Sequence, residues 1–149
     1  MAKQEHHGQC CCGQLSISFH GDPKRVLSCS CDHCLRRTGA IVQTTAWFTQ
    51  DQLAKRQGEE THYISPNQGG VEYSFCPKCG STVFWKNSVM RDQHNRPIFG
   101  VAVGCLGDPD FPKPTIECWA SKRHSWLPAL SAEEIYEEFP EKFPDIEAD

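Results

Sequence analysis

Ten cysteines in 149 residues constrain this chain more than any other feature of its sequence. Eight of them fall in three short clusters, in which neighbouring cysteines are separated by at most two residues. Such close spacing does not favour a disulfide within a cluster, but it lets two sulfurs approach one metal ion at about 2.3 Å. The clusters are Cys10-Cys11-Cys12, Cys29-Ser30-Cys31-Asp32-His33-Cys34 and Cys76-Pro77-Lys78-Cys79. The pattern therefore predicts zinc binding rather than a framework of disulfides.

The first residues of the chain favour a reducing compartment, in which disulfides rarely persist. Residues 1–8 are polar and no apolar stretch follows them, so the sequence predicts no secretory signal. No apolar run approaches the roughly 18–20 residues of a membrane-spanning helix. We therefore expect a cytoplasmic protein that does not bind membranes.

Composition and charge exclude two further classes. A net charge of −4 and the lack of a basic stripe argue against nucleic-acid binding. The 8 Phe, 4 Trp and 3 Tyr can form a core and argue against disorder.

The length fits a single domain. We expect residues 1–149 to form it, with a core over about residues 8–130 and an acidic tail over 140–149. The sequence does not indicate the oligomeric state.

The hydrophobic pattern predicts a mainly β fold with small antiparallel sheets. Short alternating or β-branched segments, interrupted by Gly and Pro, are typical of strands. Residues 32–37 are expected to form one helical turn that ends at Gly39. The predicted strands cover residues 15–19, 25–30, 41–48, 61–64, 71–75, 81–86, 98–103 and 115–120.

One short helix is predicted near the C-terminus. The segment Ser131-Ala132-Glu133-Glu134 has the pattern of a capping box, which satisfies the first backbone N–H groups of a helix. Ile135 and Phe139 follow at helical spacing, and Pro140 is expected to end the helix.

Counting ligands divides the clustered cysteines into two predicted zinc sites. Four thiolates complete the tetrahedral shell of zinc, so a site that takes a pair from each of two clusters is closed and structural. The middle cluster offers only Cys29, Cys31 and Cys34, and three ligands leave a position for water or an incoming thiolate. The predicted ligands of the closed site are Cys10, Cys12, Cys76 and Cys79.

The residues alone leave another arrangement of the second site open, in which a fourth side chain closes it. His33 and Cys11 are poor candidates, because each lies between two ligands on a tight turn. Cys105 and Cys118 lie in apolar strand patterns, where a cysteine is usually part of the core.

The order of the motifs resembles the glutathione-dependent formaldehyde-activating family, which also includes the domain of centromere protein V. The resemblance runs from about Gly8 to Trp126 and implies a tent-like arrangement of small β-sheets around zinc. The motifs that carry it are Gly8-x-Cys10-x-Cys12-Gly13, Cys29-x-Cys31-x-x-Cys34-x-Arg36-Arg37-x-Gly39-Ala40, Phe75-Cys76-Pro77-x-Cys79-Gly80-Ser81, Val101-x-Val103-Gly104 and Trp126.

The resemblance implies the same division of the cysteines into a structural site and a site that handles glutathione or its adduct. Three positions depart from the family pattern. The family often has Ser at the position of Cys105 and His at that of Glu117, and Cys11 is an additional cysteine. The departures leave the identity of the substrate open.

The chemistry implied by the resemblance is a carbon–sulfur lyase reaction, the addition of a thiol to a small aldehyde or its reverse. A thiol is a weak nucleophile until it is ionised, and zinc coordination ionises it. Glutathione and formaldehyde would give S-hydroxymethylglutathione. Arg36 and Arg37 follow the middle cluster and are candidate contacts for the carboxylates of glutathione. The alternative is a non-catalytic zinc module that carries glutathione or binds a protein partner.

Overall fold

The computed structural model of the chain describes residues 3–130 and 133–141, and this part of the chain is mainly β, as predicted. It contains one α-helix, α1, which spans Asp32–Thr38, and short 3-10 turns. None of its helices is long and apolar enough to cross a membrane. The strands are β1 (Glu5–Gln9), β2 (Ser16–His20), β3 (Arg25–Cys29), β4 (Gln43–Phe48), β5 (Leu53–Gln57), β6 (Thr61–Ser65), β7 (Val71–Phe75), β8 (Thr82–Arg91), β9 (Pro97–Ala102), β10 (Ile116–Cys118) and β11 (Glu134–Ile135).

The strands form two sheets. The smaller sheet is antiparallel, with the order β1-β2-β5. The larger sheet has the order β11-β10-β3-β4-β9-β8-β7-β6. It is mixed rather than purely antiparallel, because β10 runs parallel to both of its neighbours, β3 and β11.

The main core lies between the two sheets. Apolar side chains of the small sheet meet those of the large sheet, and the rings of Phe19 and Phe48 stack with their centroids 4.6 Å apart. Cys10 and Cys76 belong to this core and are 2% and 0% exposed. Two cysteines of the predicted closed site are therefore attached to the most deeply buried part of the molecule.

A second cluster of buried side chains covers the other face of the large sheet. It includes Leu27 and Cys29 of β3, Trp47 of β4 and Cys118 of β10. Helix α1 follows β3 directly and contacts β4. The middle cysteine cluster thus lies where β3 ends and α1 begins.

The predicted helical turn at residues 32–37 is confirmed as α1. Cys31 is its N-cap, and the Cys31 thiol accepts a hydrogen bond from the backbone N–H of Cys34. Gly39 is its C-cap with a φ of 70°, a left-handed conformation in which a Cβ is unfavourable.

The predicted C-terminal helix is wrong at the residues that the structure describes. Glu134–Ile135 form β11, which pairs with β10 in parallel. The backbone N–H of Glu134 donates to Thr115, and that of Tyr136 donates to Glu117. A helix of one or two turns is marginal in water, and pairing with an edge strand satisfies the same backbone groups within the fold. Residues 131–132 of the capping box, and 142–149 of the acidic tail, lie outside the described residues.

Candidate metal centres

The cysteines form two separate groups in the structure, which are the two sets that ligand counting indicates. We call them the four-thiol cluster and the three-thiol cluster. In the four-thiol cluster, all sulfurs lie within 4.8 Å of one another. The Cys12 sulfur is 3.6 Å from that of Cys10 and 3.7 Å from that of Cys76. Tetrahedral zinc with Zn–S bonds of about 2.3 Å requires sulfurs about 3.8 Å apart. The donor set and its spacing therefore fit zinc. The members are Cys10, Cys12, Cys76 and Cys79.

Two tight turns present the four sulfurs. In the first, the N–H of Cys10 donates to Leu15 O at 2.9 Å, so the chain reverses between β1 and β2. In the second, the N–H of Cys76 donates to Ser81 O at 3.0 Å, and the N–H of Gly80 donates back to Cys76 O at 2.8 Å. Gly80 has a φ of 77°, which a residue with a Cβ rarely adopts.

Hydrogen bonds favour ionised sulfur at two positions of the four-thiol cluster. The amide of Gln14 donates to the Cys76 sulfur at 3.0 Å. The Ser81 hydroxyl lies 3.3 Å from the Cys79 sulfur, and this contact with nearby backbone N–H groups lowers the pKa of Cys79 to about 5. A thiolate is the form that binds a metal, and the surroundings favour it at Cys76 and Cys79. Burial and the neighbouring thiols instead raise the pKa of Cys12 to about 11.

The three-thiol cluster consists of Cys29, Cys31 and Cys34, with sulfurs within 4.8 Å of one another. Cys29 ends β3, Cys31 caps α1 and Cys34 lies in its first turn. The parallel pairing of β3 with β10 fixes the position of Cys29 opposite Cys118. The three sulfurs thus converge because a strand runs directly into a helix.

Charge is not evenly distributed among these three thiols. Hydrogen bonds from Cys29, Cys34 and the adjacent backbone lower the pKa of Cys31 to about 2. The pKa of Cys29 is raised by its contacts with Cys31 and Cys34 and by burial. Ionised Cys31 is therefore the sulfur that the other two groups stabilise. Without a cation, ionisation of one thiol disfavours ionisation of the others. A divalent cation would bind all three as thiolates and offset this repulsion.

The candidates for a fourth ligand lie elsewhere. Within residues 3–130 and 133–141, no further Cys, His, Asp or Glu ligand atom lies within 4.8 Å of all three sulfurs. Burial raises the pKa of the Cys118 thiol to about 12, together with the negative charge of Cys34 and Cys31. Cys105 donates weakly to Thr82 O at 3.8 Å. Burial lowers the pKa of His33, but neither ring nitrogen lies within 4.8 Å of all three sulfurs.

A cleft of about 660 Å³ opens beside the three-thiol cluster. Its volume is within the range of sites for small molecules. One side is formed by residues of α1 and its N-cap, and the other sides by β6, the β6–β7 loop and the turn after β10. The lining residues are Cys31, Asp32, His33, Arg36, Arg37, Tyr63, Asn67, Gln68, Trp119 and Lys122.

The two predicted arginines lie in different surroundings of this cleft. Arg36 is exposed. The Arg37 guanidinium lies over the rings of Tyr73 and Trp85, 4.2 and 4.8 Å from their centroids. Its Nε and Nη1 atoms are buried and lack a hydrogen-bond partner among the residues that the structure describes. The two rings thus hold Arg37 in place, and its Nε and Nη1 can donate hydrogen bonds to a ligand.

Sequence reasoning missed the cleft residues that come from distant parts of the chain. Trp119 and Lys122 reach the cleft because β10 pairs in parallel with β3. The rings of Tyr73 and Trp85 support Arg37 from β7 and β8. The sequence offered one signal for this wall, since Cys118-Trp119 lies within a predicted strand pattern.

Comparison with known proteins decides the family. A family model described as "Glutathione-dependent formaldehyde-activating enzyme" matches residues 5–122. The chain belongs to this family. Among curated proteins, no significant relative matches it. A crystal structure of a Rhodobacter sphaeroides protein, determined as a Northeast Structural Genomics target, is 26% identical, with a TM-score of 0.47. The match covers 69% of this chain and 91% of that one.

Membership of the glutathione-dependent formaldehyde-activating family confirms the resemblance seen in the motifs. The matched range 5–122 contains both cysteine clusters and every residue that lines the cleft, including Lys122 at its end. The description of the family names glutathione and formaldehyde.

Proposed function

We propose that the chain binds two zinc ions and handles adducts of glutathione, or a similar thiol, with formaldehyde or another small aldehyde, in the manner of a carbon–sulfur lyase. The proposed structural site is the four-thiol cluster, and the proposed open site is the three-thiol cluster. The observation that supports this best is a group of three thiols, without a fourth ligand among the described residues, beside a cleft with cationic side chains.

The proposed reaction joins the sulfur of glutathione to the carbonyl carbon of formaldehyde. The carbon–sulfur bond forms as the C=O double bond becomes a single bond, and the proton of the thiol ends on that oxygen. Zinc bound by Cys29, Cys31 and Cys34 would supply the positive charge that ionises the incoming thiol. The chain itself holds the three sulfurs in position, since the N–H of Cys34 donates to Cys31 at the start of α1.

Arg36 and Arg37 are the proposed contacts for the carboxylates of glutathione. Both line the cleft next to the three-thiol cluster. Arg37 is fixed by two aromatic rings, and two of its buried donors have no partner in the described part of the chain. It therefore loses little freedom when a carboxylate binds. Arg36 is exposed and can approach the same ligand from solvent.

We also propose that residues 1–149 form one domain, and that the protein works in the cytoplasm. All ten cysteines are free thiols, although several lie within a few ångströms of one another. Free thiols at such distances are compatible with a reducing compartment.

The test measures the zinc content of wild-type protein and of the Cys31→Ser variant. It also titrates glutathione into both proteins to measure binding. We expect about two zinc ions per wild-type chain and about one in the variant, which remains folded and no longer binds glutathione. Cys11→Ser is the matched control, because Cys11 is exposed and lies outside both clusters. It should keep both ions and bind glutathione normally.

Two results would contradict the proposal. A Cys31→Ser variant that unfolds as completely as a variant of the four-thiol cluster would show that the roles are not divided. Wild-type protein with two zinc ions and no affinity for glutathione would exclude the proposed ligand. Binding without faster formation of S-hydroxymethylglutathione would favour the carrier alternative over the lyase.

A further inference from the structure

An ion pair connects two sides of the cleft. The Lys122 ammonium donates to Asp32 Oδ2 at 2.7 Å. Asp32 is the first residue of α1 and follows Cys31 directly, while Lys122 ends the 3-10 turn after β10. The cation of this distant turn is therefore placed within one residue of the three-thiol cluster.

Lys122 is presented by a well-supported turn. Its N–H donates to Trp119 O at 3.0 Å, and the N–H of Trp119 itself donates to Glu138 O at 3.2 Å. Trp119 has a φ of 57°, which is unfavourable for a residue with a Cβ and is maintained by the surrounding contacts. The Lys122 ammonium lies 5.6 Å from the Trp119 ring. The fold thus fixes the backbone of Lys122, and the ammonium reaches the cleft from there.

The charges in the cleft are unequal. Arg36, Arg37 and Lys122 contribute three cations, whereas the lining residues contribute one carboxylate, Asp32, and one sulfur of the three-thiol cluster, Cys31. The side chains of Lys122 and Asp32 are 42% and 56% exposed. An ion pair exposed to this extent is weak, so a carboxylate from a ligand can replace Asp32 at little cost.

We propose that Lys122 is a specificity-determining residue, which exchanges the Asp32 carboxylate for a carboxylate of the bound thiol. This inference rests on the proposed function and adds a requirement to it. The cleft selects thiols that carry a carboxylate away from their sulfur, and Asp32 holds the ammonium until such a ligand arrives. Asp32 is then a competitor of the ligand rather than a contact for it.

The two partners of the ion pair predict opposite effects. Removing the ammonium in Lys122→Met deletes the contact for the carboxylate, so the affinity for glutathione should fall about fivefold. Removing the competing charge in Asp32→Asn frees the ammonium, so the affinity for glutathione should rise about two- to fivefold. A purely structural role of the pair would not give a gain for either variant.

The experiment is isothermal titration calorimetry of the zinc-loaded protein with glutathione and with its diethyl ester, which lacks both negative charges. We expect wild-type protein to prefer glutathione over the ester. The preference should fall about fivefold in Lys122→Met and rise in Asp32→Asn. Lys55→Met is the matched control, because Lys55 is exposed on β5 and does not line the cleft. Its preference should equal that of wild type.

The outcomes separate this inference from the proposed function. If zinc-loaded wild type binds neither thiol, the proposed function fails and the inference fails with it. If both thiols bind and Lys122→Met leaves the preference unchanged, the inference alone is overturned. Equal or weaker glutathione binding by Asp32→Asn also overturns it, because Asp32 would then not compete with the ligand.

Discussion

Arg36 and Arg37 are neighbours in the sequence but differ in their surroundings. Residues three positions apart share one side of a helix, so Arg37 lies on the side of Cys34, against the large sheet. There it lies over Tyr73 and Trp85, whereas Arg36 points to solvent. A guanidinium between aromatic rings gains cation–π attraction and also packs its alkyl stem.

Replacing Arg37 with Ala should lower the free energy of unfolding by about 1–2 kcal/mol, because the cation–π contacts and the packed stem are lost. Arg36→Ala should change the free energy by less than about 0.5 kcal/mol, since the side chain is exposed. Urea unfolding of the zinc-loaded proteins, followed by far-ultraviolet circular dichroism, measures both values. Equal stability of the two variants would contradict a structural role for the aromatic contacts.

At the scale of residues, the sequence predicts what is local. The seven cysteines of the two clusters could be grouped because short spacing marks the two pairs and the triplet, and counting ligands combines the two pairs into one site. The partners of Arg37 could not be predicted, because Tyr73 and Trp85 are 36 and 48 positions further along the chain and reach it only through sheet pairing. The Asp32–Lys122 pair was missed for the same reason, since its residues are 90 positions apart.

Strand β9 shows how a single element supports the cleft from behind. Gly100 lies opposite Trp47 on β4 and Trp85 on β8. A Cβ at this position would lie 2.1 Å from Nε1 of Trp85, so the indole occupies the space that a side chain would need. The same indole lies beneath Arg37, so this close approach is connected to the wall of the cleft.

We expect Gly100→Ala to lower the free energy of unfolding by about 1–3 kcal/mol, because the added methyl displaces the Trp85 ring from a packed position. Gly104→Ala is the matched control. Outside its own turn, no atom of the described residues lies within 4 Å of a Cβ at Gly104, and its backbone does not require glycine. Its unfolding energy should stay within about 0.5 kcal/mol of wild type. Chemical denaturation of both variants distinguishes them, and an undisturbed Gly100→Ala protein would refute this account.

At the scale of elements, strands with a clear hydrophobic pattern were predictable and those without one were not. β7 was predicted with its observed bounds, Val71–Phe75. β1 has polar residues at four of its five positions, and β5 is largely exposed, so neither has an apolar pattern that marks a strand. The C-terminal segment does have a clear local pattern, but that pattern predicts the wrong element. Its capping pattern is local, but it pairs with β10, which no local pattern reveals.

The two cysteine clusters have different relations to the whole molecule. The four-thiol cluster joins the β1–β2 turn to the β7–β8 turn, and two of its members belong to the main core. The three-thiol cluster uses residues within one short stretch of chain, from Cys29 to Cys34. Loss of the first should release two distant parts of the fold, while loss of the second affects one strand end and a short helix.

Cys76→Ser should therefore abolish the cooperative unfolding transition, because structural zinc contributes on the order of 10 kcal/mol or more to the folding of small domains. Cys105→Ser is the matched control, since Cys105 is partly buried and belongs to neither cluster. It should unfold cooperatively with two zinc ions bound. Thermal unfolding monitored by circular dichroism gives the comparison. A Cys76→Ser protein as stable as Cys105→Ser would show that the four-thiol cluster is not structural.

The span of the four-thiol cluster also has a consequence for biosynthesis. Cys12 and Cys76 are 64 positions apart, and the last sulfur of the set belongs to Cys79. The chain must be synthesised as far as Cys79 before these donors can meet around a cation. Until then, Cys10 and Cys12 supply only two of the four ligands, and their thiols are exposed to oxidants and to competing ions in the cell. Capture of the cation is thereby tied to the progress of translation rather than to the first hairpin alone.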